Sequence, residues 1–503
     1  MVQKTEGLFE HILIHYRWIF VCLFLLPLSF VFDIWIFWRN YIVFKLNSAP
    51  SKHDDKVKNI QRQIQSWNKI QGKKPFMCTA RPGWQTMSFR QGIYKDIYKK
   101  INVDLVDILH IDHEKKTVHV EPLVNMGQLT AMLNPLGWTI PIVPELDDLT
   151  VGGLVMGTGI ESSSHIHGLF QHICLSYELV LADGSVVRCS PENNPDLFYG
   201  IPWSYGTLGI LTSVEVTLIP AKKYIELTYL PFKSLDAMSV YLEEAVVDDR
   251  NEFVEVLIFN ENESVVMIGK QTDEMDNKGF NPIGRWYKPW FFKHVQDILN
   301  RSDAKTEYIP LRDYYHRHSR SIFWELQDII PFGNNLLFRL ILGWMVPPKI
   351  SLMKLTQSET TKKLYENNHI IQDMLLPMSY LKETVIFFEE QVGVYPLWIC
   401  PFKLPNNPGF LHPAKSNVEI YVDVGVYGVP KVENFKPRET TRKIEKFVMD
   451  RNGFQMLYAD TYMTREEFRL MFDHSLYDKL RKTYGCEEAF PEVYQKVCKE
   501  ARR

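Results

Sequence analysis

The sequence predicts an α+β protein of two lobes behind an N-terminal membrane helix, and three observations carry that reading. A chain of 503 residues exceeds what one compact core fills and is long enough for two. Short runs that alternate apolar and polar residues are interspersed with stretches of helical period. Near the N-terminus, WIFVCLFLLPLSFVF from Trp18 to Phe32 carries no charge, and its apolar character continues through IWIFW to Arg39.

That apolar run has the length to cross a bilayer despite Pro27 and Asp33. A cleaved signal peptide fits less well, because no small-residue cleavage site follows before WRNY. Lys4 and Arg17 precede the run and are offset by Glu6 and Glu10, whereas Arg39, Lys45, Lys52, Lys56 and Lys58 follow it, which places the C-terminal part in the cytosol. The alternative is a buried core helix. From Lys52 to Lys73 the chain is polar with Val57, Ile60, Ile64 and Trp67 on one helical face, as a linker helix would be.

The soluble fold is expected from Pro75. VDLVDIL, TVHVEPL, SYELVLADGSVVRCS and LTSVEVTLIP read as strands, with Asp183-Gly184 a hairpin signal, and MGQLTAMLNPLGW as a short helix ended by Pro135 and Gly137. Beyond Tyr224, YIELTYLPF, FVEVLIF, SVVMIGKQT and VEIYVDVGVYG read as strands. SLDAMSVYLEEAV, LMKLTQSETTKKLYENNHIIQDML and RETTRKIEKFVMDRNGF read as helical, the last closing at Gly453. The expected division is 1–50 anchor, 51–74 linker, 75–222 first lobe, 223–430 second lobe and 431–503 C-terminal segment.

Composition narrows the function. Lys and Arg number 57 against 60 Asp and Glu, and 46% of residues are hydrophobic, which excludes a nucleic-acid-binding or wholly disordered chain. The seven cysteines are scattered without a CxxC pair, which suits a reducing compartment and gives no structural zinc site and no other metal site.

The densest motif is TVGGLVMGTGIESSSHIHG, Thr150 to Gly168, with five glycines. GTGIES nearly spells the dinucleotide fingerprint G-x-G-x-x-G, with Ser162 in place of the last glycine. Its context argues against a Rossmann unit: a second pair, Gly152 and Gly153, lies just upstream, polar SSSHIHG follows, and Glu178, where a ribose-binding acid would stand, sits in a strand entering the Asp183-Gly184 hairpin. Glycines permit positive φ and close backbone approach, so such a loop can line N–H groups against a diphosphate without a helix.

This motif, followed by ELVLADGSVVRCS and NPDLFYGIPWSYGTLGILTSVEVTLIP, resembles the FAD-binding module of the vanillyl-alcohol-oxidase and methylphenol-hydroxylase (PCMH-type) superfamily. FVCLFLLPLSFVFDIW, CTARPGW, YYHRHSRSIFWELQDIIPFGNN, GWMVPPKISLMKLTQ and GFQMLYADTYM resemble the membrane-bound 24-dehydrocholesterol reductases, also called seladin or diminuto. The resemblance implies two subdomains holding FAD, an α+β cap over the flavin ring, a sterol substrate, NADPH as reductant and a location in the endoplasmic reticulum or Golgi. It admits a homo-oligomer or other sterol-pathway enzymes as further partners. Thr150, Val151, Gly152, Gly153, Leu154, Val155, Met156, Gly157, Thr158, Gly159, Ile160, Glu161 and Ser162 would take the flavin diphosphate and adjoining atoms. Arg81, Pro82, Gly83 and Trp84 would form the earlier phosphate loop, which lacks the histidine that often bonds FAD covalently, so non-covalent FAD is expected.

The implied reaction reduces an isolated alkene, which has no carbonyl to activate it, so the site needs a general acid beside an apolar slot. Tyr458 and then Asp460 in MLYADTYM are the candidates, with a structural tyrosine as the alternative for the first. His165 and His167 could contact cofactor or serve structure. His316, Arg317, His318 and Arg320 could attract the phosphates of NADPH or form a solvated helix face. RWYKPWFFKHV and LLFRLILGWMVPP could meet lipid or pack the cap. Two other functions stand beside the sterol reductase: an oxidase of the same superfamily acting on a sugar lactone or alcohol, and a non-catalytic sterol-binding scaffold.

Overall fold

The computed structural model describes residues 16–81, 92–301, 303–355, 359–415 and 417–502. Its first lobe is built on a five-stranded antiparallel sheet in the order Ile108–Asp112, Thr117–Val120, Ile210–Thr217, Cys174–Val180, Val186–Cys189. Only the end of VDLVDIL is strand. The expected hairpin forms at Asp183-Gly184: Gly184 takes φ 88°, and the Asp183 carboxylate accepts from the Ser185 N–H at 2.8 Å. Helix Met126–Leu133 starts at Asn125, whose side chain accepts from the Gln128 N–H at 2.8 Å, and its trailing turn stops at Gly137 with φ 79°.

The helix Pro50–Asn68 is no free linker. Val57, Ile60, Ile64 and Trp67 are all buried against the first lobe, a burial worth about 1.5–3 kcal/mol per large side chain. Its polar face is tied down too: Gln61 donates to the Gly184 carbonyl at 2.8 Å, Asn68 to the Ala182 carbonyl at 3.0 Å, and Lys56 bridges Asp107 and Glu121 at 2.8 Å each.

The second lobe is an eight-stranded antiparallel sheet in the order Lys305–Pro310, Tyr224–Phe232, Glu263–Thr272, Phe253–Asn260, Leu397–Pro405, Val418–Gly428, Ile370–Pro377, Phe454–Gln455. Helix Leu235–Val247 forms as expected behind its Ser234 cap. HIIQDML differs from expectation, since Ile370–Pro377 is a strand paired on both sides. An apolar run buried on both faces loses the alternation that distinguishes strand from helix. The last strand comes from beyond residue 430, so the C-terminal segment completes this sheet before returning to the first lobe, where Tyr477 shares a hydrogen bond with Thr207 at 2.7 Å.

At the N-terminus, Arg17–Lys45 is one helix long and apolar enough to cross a membrane. It carries a π-helical turn at Val21–Leu25, immediately ahead of Pro27, where the proline ring disrupts regular i to i−4 bonding. One face of this helix is packed against the protein body.

Candidate active site

Between the two lobes lies a cavity of about 540 Å³, reached by side chains from Thr79 to Arg502. The glycine-rich segment forms one wall. Thr150, in extended conformation, caps a six-residue helix, Val151–Met156, by accepting from the Gly153 N–H at 3.3 Å. This helix was not expected from the sequence. From Thr150 to Ile160 every residue contributes to the cavity wall except Val151 and Val155, which fill the core beneath.

The glycines serve by lacking a side chain rather than by taking positive φ, which none of Gly152, Gly153, Gly157 and Gly159 does. A Cβ on Gly152 would lie 2.6 Å from Pro122, and one on Gly157 would come within 3.0 Å of the Gly153 carbonyl and 3.4 Å of the Tyr205 hydroxyl. Four cations converge here. Arg81 donates to the Thr150 hydroxyl at 3.5 Å, Lys95 to the carbonyls of Thr79 and Arg81 at 3.3 and 2.5 Å, and Lys496 to the Tyr205 carbonyl, with Arg502 alongside. Burial pulls the ammonium groups of Lys95 and Lys496 down to about 8 each, a cost that an anion placed among them relieves. Side-chain-free backbone beside convergent cations fits the diphosphate of FAD.

The opposite wall is the face of the eight-stranded sheet. Trp398, Gly425 and Asp373 stand opposite one another on three adjacent strands, and Asp423 and Tyr427 flank Gly425 on the middle one. Gly425 keeps the space open: a Cβ there would lie 2.4 Å from the Tyr427 hydroxyl and 2.8 Å from Asp373. Through that space the Tyr427 hydroxyl donates to one Asp373 oxygen, while Tyr458 donates to the other at 2.5 Å. Burial raises the Asp373 carboxyl to about 6, with the two hydroxyls opposing the shift. Asp423 is fully buried with neither carboxylate oxygen hydrogen-bonded; burial, then Asp373 and Glu145, push it well above the carboxylate range. Glu145 is raised in the same way, chiefly by burial. Isoleucines and methionines such as Ile329, Ile350, Met353 and Met456 supply the apolar lining.

Tyr458 therefore reaches the cavity, and Arg502 fixes it there by donating to the carbonyls of Leu457, Tyr458 and Ala459 at 2.7, 3.1 and 2.6 Å. Asp460 does not: its carboxylate pairs with Lys499 at 3.2 Å on a separate small recess. Glu161 and Ser162 also turn away. Glu161 is buried against Arg317 at 2.7 Å, and Ser162 meets the Tyr314 hydroxyl at 2.9 Å, so neither lines the cavity. Arg81 is in place, while Pro82, Gly83 and Trp84 lie outside the described residues.

His165 is structural, held between the carbonyls of Ser162 and Asn251 at 2.9 Å each, and His167 does not line the cavity. The basic cluster is neither solvated nor open to a dinucleotide. Arg317 is buried between Glu161 and Glu255, His318 stacks on Phe323, His316 meets Thr130, and Arg320 donates to four backbone carbonyls between Ile283 and Lys288. Lys95, Lys496, Arg502, Asp373, Asp423 and Tyr427 went unnoticed in the sequence. For the two aspartates a signal existed, a lone acid in the middle of an apolar strand, which is costly unless used.

A glycine-lined, cationic cradle facing buried acids across an apolar space defines an FAD-binding oxidoreductase, and the family profile of the FAD binding domain matches residues 63–190. The chain is 58% identical to the Delta(24)-sterol reductase of Homo sapiens over 499 residues, covering 99% of this chain and 96% of that protein. It is 48% identical to a Delta(24)-sterol reductase homolog of Caenorhabditis elegans, covering 99% of this chain and 98% of that protein. The L-gulonolactone oxidase of Mus musculus is more distant, 27% identical with 73% of this chain and 77% of that protein covered. The chain belongs to the Delta(24)-sterol reductase family.

Proposed function

We propose that the protein reduces the delta(24) side-chain double bond of a sterol intermediate, desmosterol-like to cholesterol-like, drawing electrons from NADPH. The observation that carries this reading is the Asp373–Tyr458 pair, an acid held near neutrality against an apolar wall, in the cavity whose far side is the cationic cradle. Bound FAD, once reduced, supplies hydride.

The residues of the chain do the rest. Arg81, Lys95, Lys496 and Arg502 hold the diphosphate, and Trp398 and the isoleucines exclude water and accept the sterol tail. An unactivated alkene accepts hydride only as a proton reaches its other carbon, which leaves the cationic character on the more substituted one. Asp373 controls that proton. When its carboxyl is ionised it accepts from both tyrosines and turns the Tyr458 O–H away from the cavity. When protonated on the oxygen that faces Tyr458 it donates there, so the Tyr458 hydroxyl can give its own proton into the cavity and be refilled from Asp373. Asp423 and Glu145, kept neutral by burial, add no charge that would hold the proton back.

The apolar lining and the apolar N-terminal helix favour a sterol over a sugar lactone. We place the protein at the endoplasmic reticulum membrane with both lobes on the cytosolic side, where NADPH is available. The test is an anaerobic absorption spectrum of the purified protein. NADPH should bleach the flavin, and a delta(24)-unsaturated sterol should restore its colour, whereas a saturated sterol or a lactone should not. Bleached flavin that responds only to oxygen would sink the assignment.

A further inference from the structure

We infer that the helix Arg17–Lys45 lies in the plane of one lipid leaflet, as the edge of a monotopic membrane face, instead of running through the bilayer. Its inner face is bonded to the body from end to end. Arg17 donates to the Met353 carbonyl at 3.4 Å; Val21, Cys22, Leu25 and Leu26 are buried; Ser29 accepts from the Lys349 N–H at 2.8 Å. Further along, Asp33 pairs with Lys349 at 2.7 Å, which also holds Asp148 at 2.6 Å, and Arg39 donates to Asp107 at 3.1 Å.

The helix has 29 residues, about 43 Å at 1.5 Å per residue, against a hydrocarbon layer about 30 Å thick. Standing upright, it would carry everything bonded to it into hydrocarbon, including the Lys56–Asp107 and Lys349–Asp148 pairs of the body. Charges at that depth are among the most expensive groups a bilayer can hold. Lying flat, the same contacts stay at or above the headgroups.

The outer face is made for that position. Leu23, Phe24, Leu28, Val31, Trp35 and Trp38 are exposed, Leu23 to 64% and Trp35 to 61%. A second element continues the surface: in Leu336–Ile341 the side chains of Leu336, Leu337, Leu340 and Ile341 are exposed, Leu337 to 65%. Edge-to-face contacts tie the first helix to residues on either side of the second, Phe30 with Trp344 at 4.8 Å and Trp18 with Phe332 at 5.0 Å. An apolar surface of two adjoining helices, rich in tryptophan and phenylalanine, matches the headgroup boundary of a leaflet.

This inference is independent of the reaction proposed above, and its test reads only where the chain meets lipid. Tyr16→Cys and Leu46→Cys bracket the helix at exposed positions, and the native cysteines are all buried. In sealed microsomes containing the full-length protein, a membrane-impermeant maleimide should label both variants to the same extent before and after permeabilisation, or both only after it. One position labelled at once and the other only after permeabilisation would overturn the inference. As a second arm, Leu337→Glu with Ile341→Glu should lower flotation of the detergent-purified full chain with phosphatidylcholine vesicles by about tenfold at unchanged flavin content. Undiminished flotation would remove the second helix from the membrane face.

Discussion

The Tyr458 hydroxyl donates to an Asp373 oxygen at 2.5 Å, while the other oxygen accepts from Tyr427. A carboxyl bracketed by two phenols and closed off from water is a reservoir for one proton, and its occupancy sets the direction in which Tyr458 points.

That relationship fixes a pH dependence. Burial raises Asp373 above its ordinary value of 3.8 to about 6, so the folded protein keeps a proton that the unfolded chain has already released. The stabilisation from that proton is complete below the ordinary carboxyl range and is lost as pH rises through about 6. Single-turnover reoxidation of reduced flavin by sterol should therefore slow above pH about 6. Asp373→Asn should flatten the profile, and Tyr458→Phe should lower the rate by about 10²–10⁴-fold at every pH while flavin stays bound. A Tyr458→Phe enzyme of normal rate would exclude the hydroxyl from proton delivery.

Two glycines of the same segment should fail differently. Gly157→Val places its side chain at the cavity wall near the Gly153 carbonyl and Tyr205, so the purified protein should be folded and colourless. Gly159→Val drives a Cβ to 2.7 Å from Leu154 and 3.1 Å from Pro144, inside the core, so the yield of soluble, folded protein should collapse. Equal flavin content in Gly157→Val and the parent would show that the wall does not contact FAD.

Flavin should come away without a covalent bond. Among the described residues no histidine or cysteine lines the cavity. Acid precipitation should leave the yellow colour in the supernatant, and a flavin-modified peptide in the pellet would contradict this.

The buried Arg317 holds Glu161 and Glu255 at 2.7 and 2.8 Å, all three side chains fully shielded from solvent. Arg317→Met strands two carboxylates and should cost about 3–5 kcal/mol in urea unfolding. Adding Glu161→Gln and Glu255→Gln should recover much of it, because the cost lies in the unpaired charges.

The glycine-rich wall, the hairpin at Asp183-Gly184 and Tyr458 were legible because each rests on local chemistry: small residues, a turn dipeptide, a polar interruption after an apolar run. The cradle's cations were not. Apart from Arg81, marked by the CTARPGW motif, Lys95, Lys496 and Arg502 are ordinary residues in one dimension and meet only through tertiary folding. Asp373 was hidden by a helical reading of HIIQDML, a strand buried on both faces. Glu161 and Arg317 misled in the opposite sense, since charge next to a glycine motif or in a basic cluster suggests ligands, and here the two neutralise each other inside the protein.

Arg502 grips the carbonyls on either side of Tyr458, and the wall facing it begins at Thr79. During synthesis the chain therefore carries a finished glycine segment for the time needed to translate more than three hundred further codons, at about 5–20 residues per second, before the enclosure can shut. Flavin capture is thus a late event on the ribosome or after release. A cell short of riboflavin would release full-length polypeptide with an unfilled, cation-lined interior, a natural substrate for quality control, so the abundance of the protein should fall with vitamin supply without any change in its messenger RNA.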